Sequence, residues 1–304
     1  MKIGIVGAGS IGGTLTRRLT ALGHEVFVAN SRGPESLRDL AAETGAKPVT
    51  VHEAVRSGDV VIVTIQEKNV PQLPSDLFKG VPENVVVVDT GNYYPRQRDG
   101  RIDGIENGTL ESRWVEQHLH RPVVKAFNNI NWERLLENGQ PTGTPGRIAL
   151  PVAGDDPAAK AVILQLIDQL GFDGVDAGGL DDSWRQQPDT PVYGTDLDAE
   201  GVRLALETAS KERKPEWRAV EKVFLVRVET GEARNTYRYL VGIECGLHQL
   251  TRRDSAQQFV QSAFLAKHSP GRQITIYNPE PFWDDELPSL PKVNEGCDCW
   301  TMEI

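Results

Sequence analysis

Apolar positions in the first 180 residues fall into short unbroken runs separated by stretches with helical spacing. Residues 3–6, 60–65 and 85–89 are such runs, and residues 123–127, 148–153 and 172–175 repeat the theme. After the first run, Leu15, Leu19 and Leu22 recur at helical spacing until Gly23, and residues 25–29 follow as a second strand. A helical pattern over 35–43 precedes a short strand near 48–51, and residues 158–170 place Val162, Leu166 and Leu170 on one helix face. Strands that are apolar throughout are buried on both faces. Their alternation with helices predicts a doubly wound α/β fold around a mostly parallel sheet.

The pattern changes after Gly178-Gly179. Residues 183–198 are polar and rich in Gln, Pro and Asp, as in an ordered loop or arm, and residues 199–211 have helical spacing. Residues 222–228 and 235–243, on either side of a turn at 229–233, predict a β-hairpin. A helix over 255–268 and a strand over 273–277 complete a small α+β module. The tail from Pro279 contains four prolines and the string Cys297-Asp298-Cys299-Trp300, which predicts an irregular or mobile end. The expected organisation is therefore a nucleotide-binding domain over 1–180, a polar loop and helix over 181–217, and the module with its tail over 218–304.

Composition narrows the partners. A formal net charge of −10 argues against nucleic acid as a bulk electrostatic partner. Three cysteines in 304 residues fit thiols in a reducing compartment better than a disulfide framework. A strand pattern beginning at Lys2 leaves no room for a signal peptide, and no apolar run approaches membrane-spanning length. A cytoplasmic protein with no membrane partner is expected, and a homo-oligomer is compatible with the sequence.

The first run breaks into Gly7-Ala8-Gly9-Ser10-Ile11-Gly12. Between a strand and a helix this spacing is a dinucleotide fingerprint. The first glycine permits the tight turn, the second lets backbone approach a pyrophosphate, and the third lets helix and sheet pack closely. Free N–H groups at the helix start then face the phosphates. The end of the second strand distinguishes the cofactor. NAD-binding domains usually carry an acid there for the ribose 2′-hydroxyl, whereas this chain has Asn30-Ser31-Arg32. A hydroxyl and a guanidinium can both donate to a 2′-phosphate, so the expected cofactor is NADP(H) in a Rossmann domain.

These motifs, with Lys125-Ala126-Phe127-Asn128, Val152-Ala153-Gly154-Asp155-Asp156 and Asp176-Ala177-Gly178, resemble the NADPH-dependent reductases of the deazaflavin coenzyme F420 over residues 1–180. The resemblance implies hydride exchange between the nicotinamide C4 and a deazaflavin ring, with Ser31 and Arg32 on the 2′-phosphate. The chain departs from the family pattern at Gln66-Glu67-Lys68 and from residue 183 onward.

Ligands of open α/β sheets sit beyond the carboxyl ends of the strands, so Thr64, Ile65, Gln66 and Asn128, with its neighbour Asn129, are expected to line the nicotinamide half. A ring acceptor needs little beyond face-to-face positioning, whereas a ketone or imine needs a proton donor. Candidates for that donor are Lys125, Tyr93, Tyr94 and Tyr193, and no Tyr-x-x-x-Lys spacing is present. His118 and His120 lie in a charged stretch and Cys297-x-Cys299 lacks a second pair, so no metal is expected. Trp184 beside Arg185 is suited to stacking on a planar ligand or to anchoring its loop. The sequence therefore predicts an NADPH-dependent oxidoreductase with a flavin-like or deazaflavin acceptor. An NADP(H)-binding sensor or scaffold with a partner-binding module, and a tailoring reductase acting on C=C, C=N or C=O, are the alternatives.

Overall fold

A computed structural model describes residues 1–219 and, beyond them, the backbone of four strands at 222–229, 237–243, 246–249 and 298–303. The chain divides into two compact units, Met1–Ala219 and Val220–Ile304.

The first unit is built on a six-stranded parallel sheet. Its strands are β1 (Lys2–Val6), β2 (Glu25–Ala29), β3 (Lys47–Pro48), β4 (Val60–Val63), β5 (Val86–Asp89) and β6 (Val124–Lys125), in spatial order β3-β2-β1-β4-β5-β6. Alternate residues feed the two faces. Ile3, Ile5, Ile62 and Val88 face one core with Leu15 and Leu19, while Val6, Val61, Val63 and Val87 face another with Trp114 and Val115. Leu15 and Leu19 belong to α1 (Ser10–Ala21), and Trp114 and Val115 to α5 (Glu111–Leu119). The doubly wound Rossmann expectation holds.

The short elements were the hardest to anticipate. The strand expected near 48–51 is only two residues long. Val51 instead opens α3 (Val51–Ser57), where Thr50 and Glu53 form a reciprocal capping box. This helix lies so close to β1 that a Cβ on Gly4 would stand 2.1 Å from the Ala54 carbonyl oxygen. The helical pattern at 35–43 divides into a 3-10 turn at Pro34–Leu37 and α2 (Arg38–Thr44). A four-residue helix, α4 (Asp103–Glu106), and α6 (Trp132–Glu137) complete the connections on either side of α5.

The last two runs do not extend the parallel sheet directly. Strands β7 (Ala149–Val152) and β8 (Asp173–Asp176) form a parallel pair around α7 (Pro157–Gln169). An antiparallel bridge between Lys125 and Ala153 joins this pair to β6. A 3-10 segment, Leu180–Gln186, then crosses the sheet end, and α8 (Ala199–Glu207) packs on β7 and β8. Among the described residues, no helix is long and apolar enough to cross a membrane.

In the second unit the expected hairpin is present as β9 (Lys222–Glu229) and β10 (Tyr237–Ile243), antiparallel, with β11 (Gly246–Gln249) beyond β10. The expectation for the tail needs correction at its end. Residues Asp298–Glu303 form β12, which pairs antiparallel with β9 from Asp298 opposite Arg227 to Glu303 opposite Lys222. Ladder pairing with a strand distant in sequence orders this segment; prolines and local polarity gave no sign of it. The helix expected at 255–268 and the strand expected at 273–277 lie outside the described residues.

Candidate active site

The glycine loop joins β1 to α1, and each glycine meets a different constraint. Gly7 has φ of +108° and donates its N–H to the Ala29 carbonyl at 2.8 Å. A Cβ on Gly12 would stand 1.9 Å from the Gly7 carbonyl oxygen, so helix and loop touch there. A Cβ on Gly9 would meet nothing within 4 Å, although Gly9 caps a 12-residue helix without any side-chain cap bond. Ser10 is exposed, and Ala8 and Ile11 are half-buried. An open space in front of uncapped helix N–H groups fits a pyrophosphate.

At the end of β2, Asn30 organises the turn. Its Oδ1 accepts the Arg32 backbone N–H at 2.9 Å, and its Nδ2 donates to Ser36 Oγ at 2.9 Å. Ser31 and Arg32 are thereby presented to solvent. The Arg32 guanidinium has no hydrogen bond or ion pair to the described residues, so it is available to a phosphate. Asn30 thus shapes the turn, while Ser31 and Arg32 supply its free donors.

Thr64 follows β4 and ties it to the loop, its Oγ1 donating to the Gly7 carbonyl at 2.8 Å. Ile65 and Gln66 are half-buried beside it, and the Gln66 amide makes no hydrogen bond to the described residues. Asn128 is placed differently. Its Nδ2 donates to Asn92 Oδ1 at 3.0 Å and to the Gln186 carbonyl at 2.8 Å, and its Oδ1 accepts from Gln186 Nε2 at 2.9 Å. It braces the 3-10 segment against the sheet end. The next residue, Asn129, is buried with both amide atoms unpartnered among the described residues. Asn129 is thus the one of the pair with polar capacity to spare for a ligand.

The four proton-donor candidates are engaged. Lys125 is fully buried, its Nζ donating to Asp89 Oδ2 at 2.8 Å and to the Gly91 carbonyl at 2.6 Å. Burial pulls its ammonium down, but the acids around it, Asp89 first, more than offset this. Tyr93 is buried, and its hydroxyl accepts the Ile102 N–H at 2.9 Å. The Tyr94 and Tyr193 hydroxyls bond to each other, and burial pushes the Tyr193 phenol above its ordinary value.

A cluster of buried acids at the ends of β4 and β5 was not anticipated. Asp89 also accepts from Ser112 Oγ at 3.0 Å, and its Oδ1 accepts the Gly91 N–H at 2.8 Å. Glu111 accepts the Tyr93 N–H at 3.1 Å and pairs with Arg213 at 2.5 Å. Asp99 pairs with Arg98 at 3.0 Å and accepts the Tyr94 N–H at 2.8 Å. Glu67 is fully buried, and neither of its oxygens has a partner among the described residues. Burial drives its carboxyl well above the usual range, Asp89 adds to this, and Lys125 opposes it. The only sequence signals were the departure at Gln66-Glu67-Lys68 and an acid closing the apolar run of β5.

A cleft of about 180 Å³ opens beside Glu111, with Leu110, Trp184, Gln187 and Arg213 in its walls. Gln187 Nε2 is buried there without a partner among the described residues. Arg185 and Lys211 lie over the Trp184 ring at 4.8 and 5.8 Å, so its face already carries cations. His118 and His120 are exposed, and no group of metal-ligating side chains exists among the described residues.

The chain is similar to several known proteins. Protein YjhV of Escherichia coli (strain K12) is 46% identical over 91 residues, 30% of this chain and 59% of YjhV, so the chain spans 59% of the length of that curated relative. The solved structure of SMa0349 from Sinorhizobium meliloti is 30% identical with a TM-score of 0.56, covering 65% of this chain and 95% of the other. A protein of Arthrobacter sp. FB24 assigned as an F420-dependent NADP reductase shares the fold at 22% identity and a TM-score of 0.50, covering 60% and 87%. The model of the family "NADP oxidoreductase coenzyme F420-dependent" matches residues 2–93, which include the glycine loop, the Ser31-Arg32 turn and Glu67. Residues 2–93 are thus similar to the coenzyme F420-dependent NADP oxidoreductases, and they carry the first strands of the Rossmann sheet together with the glycine loop.

Proposed function

We propose that this protein transfers a hydride between NADP(H) and a flavin-like or deazaflavin ring. The observation that carries the proposal is the family match over residues 2–93, which joins an NADP site to ring acceptors. The site geometry supports it. Gly7, Ala8, Gly9, Ser10, Ile11 and Gly12 would hold the pyrophosphate, Ser31 and Arg32 the 2′-phosphate, and Gln66 with Asn129 the nicotinamide end. The bound cofactor would supply the hydride. The protein's part is to hold two planar rings face to face and exclude water, which needs no exposed acid. The engagement of Lys125, Tyr93, Tyr94 and Tyr193 in internal bonds favours a delocalised acceptor over a ketone or imine.

Rapid mixing of the protein with NADPH and either F420 or FMN tests the proposal. Oxidation of NADPH with matching reduction of one ring is expected. No transfer to either ring would sink it, and turnover with cyclic imines alone would make the protein a tailoring reductase. For the cofactor, Arg32→Ala is expected to cost NADPH about 1.5–3 kcal/mol of binding, roughly ten- to hundredfold, while leaving NADH nearly unchanged. Titration with both nucleotides measures this difference, and equal losses would make Arg32 structural.

A further inference from the structure

The acids around the end of β4 do not balance their cations. Asp89 on β5 is paired with Lys125 on β6, Glu111 on α5 with Arg213, and Asp99 in the turn before α4 with Arg98. Glu67 is the fourth acid facing this centre and has no cation of its own among the described residues. Its own segment contributes Lys68, whose Nζ is turned away to the Arg98 carbonyl at 2.6 Å. Glu67 and Asp89 converge on one spot. A Cβ on Gly91 would stand 2.5 Å from Glu67 Oε1 and 3.0 Å from Asp89 Oδ1. Two carboxylates meeting at a dry site, with the Lys125 ammonium bonded to Asp89, cannot both ionise cheaply, and the cost falls on Glu67, which has no partner among the described residues.

Glu67 sits three residues past Thr64, which is bonded to the glycine loop. In a sheet of this order the cleft opens between β1 and β4, and a dinucleotide lying on the loop extends its far ring over the β4 side. That ring is neutral when reduced and a cation when oxidised. We propose that Glu67 is a redox-sensing proton store of the nicotinamide site: it keeps its proton beside NADPH and gives it up beside NADP+. The exchange is balanced. The Glu67 O–H bond breaks, the proton passes to solvent or to the reduced acceptor, and the carboxylate left behind faces the cationic ring and Lys125. In turnover, proton release would thus accompany loss of the hydride.

The inference rests on the NADP(H) site proposed above, and its test reads binding rather than turnover. Proton release on adding NADP+ or NADPH to the full-length protein is measured with an indicator dye, together with both dissociation constants across pH. In the wild type, NADP+ binding should release protons and NADPH binding should not. The affinity ratio of NADP+ over NADPH should rise by up to about tenfold per pH unit while Glu67 titrates. Glu67→Gln, neutral and nearly isosteric, should bind NADPH normally, release no proton, and show a flat ratio. Equal release with both nucleotides, or wild-type release from Glu67→Gln, overturns the proposal. If Glu67→Gln fails to fold, Glu67→Asp should still release protons with a displaced pH profile, and an undisplaced profile is equally fatal. A wild-type protein that binds neither nucleotide overturns the NADP(H) site itself, and this inference with it.

Discussion

At the residue scale, neighbouring positions of one motif have opposite tolerances. Gly12 is closed by the Gly7 carbonyl and Gly9 faces open space. Gly12→Ala should therefore disturb the loop and lower the unfolding midpoint, whereas Gly9→Ala should leave the fold intact and weaken NADPH binding. Thermal unfolding and nucleotide titration of the two variants separate these effects. Glu67 supplies the matching prediction for pH. Its folded carboxyl titrates above its unfolded value, so its contribution to stability is fully present below the ordinary carboxylate range and is lost as pH rises through the folded value. Glu67→Gln should be progressively more stable than wild type as pH increases, read by chemical denaturation at several pH values. A constant difference would mean that Glu67 ionises normally. The motif was legible in the sequence because glycine spacing is local. Glu67 was not, because its oddity is the absence of partners that only folding could have brought to it.

At the element scale, single side chains hold separate segments together. Arg18 on α1 donates to the Leu136 carbonyl in α6 at 2.6 Å and to the Leu170 carbonyl after α7 at 2.5 Å. Arg147 is buried between Asp168 and Asp173, at 2.7 Å from each, and so binds α7 to the start of β8. Lys125 does the same for β6 and β5. Lys125→Met removes a cation and leaves Asp89 buried and unpaired, at a cost of about 3–5 kcal/mol by denaturant unfolding. A cost near zero would show that the Lys125–Asp89 pair does not hold these strands together. Unbroken apolar runs predicted β1, β4 and β5, and the alternation with helices predicted β2, because strands inside a covered parallel sheet are buried on both faces. The same patterning missed α3, whose seven residues depend on a capping box and on the missing side chain of Gly4 more than on an apolar stripe.

At the scale of the whole molecule, the cofactor loop, the acid cluster and the cleft all lie within Met1–Ala219. Among the described residues, two cores of that unit contain none beyond Leu180, and the third, which includes α8, ends at Leu206. A chain ending at Ala219 should therefore unfold cooperatively and bind NADPH as the full chain does, as checked by calorimetry and titration. Loss of folding would assign a structural role to the second unit. Loss of turnover with binding retained would place that unit in the service of the acceptor.

Sequence alone determined the class of sheet, the glycine loop and the unopposed Ser31-Arg32 turn, because each is written in contiguous residues whose spacing is set by backbone geometry. Tertiary structure alone decided which of Asn128 and Asn129 has a free amide, that Lys125 is held by Asp89, and that residues 298–303 pair with β9. It also decided that Glu67 is the acid left without a cation. These outcomes depend on which partners arrive from distant parts of the chain, and on how little water remains once they do.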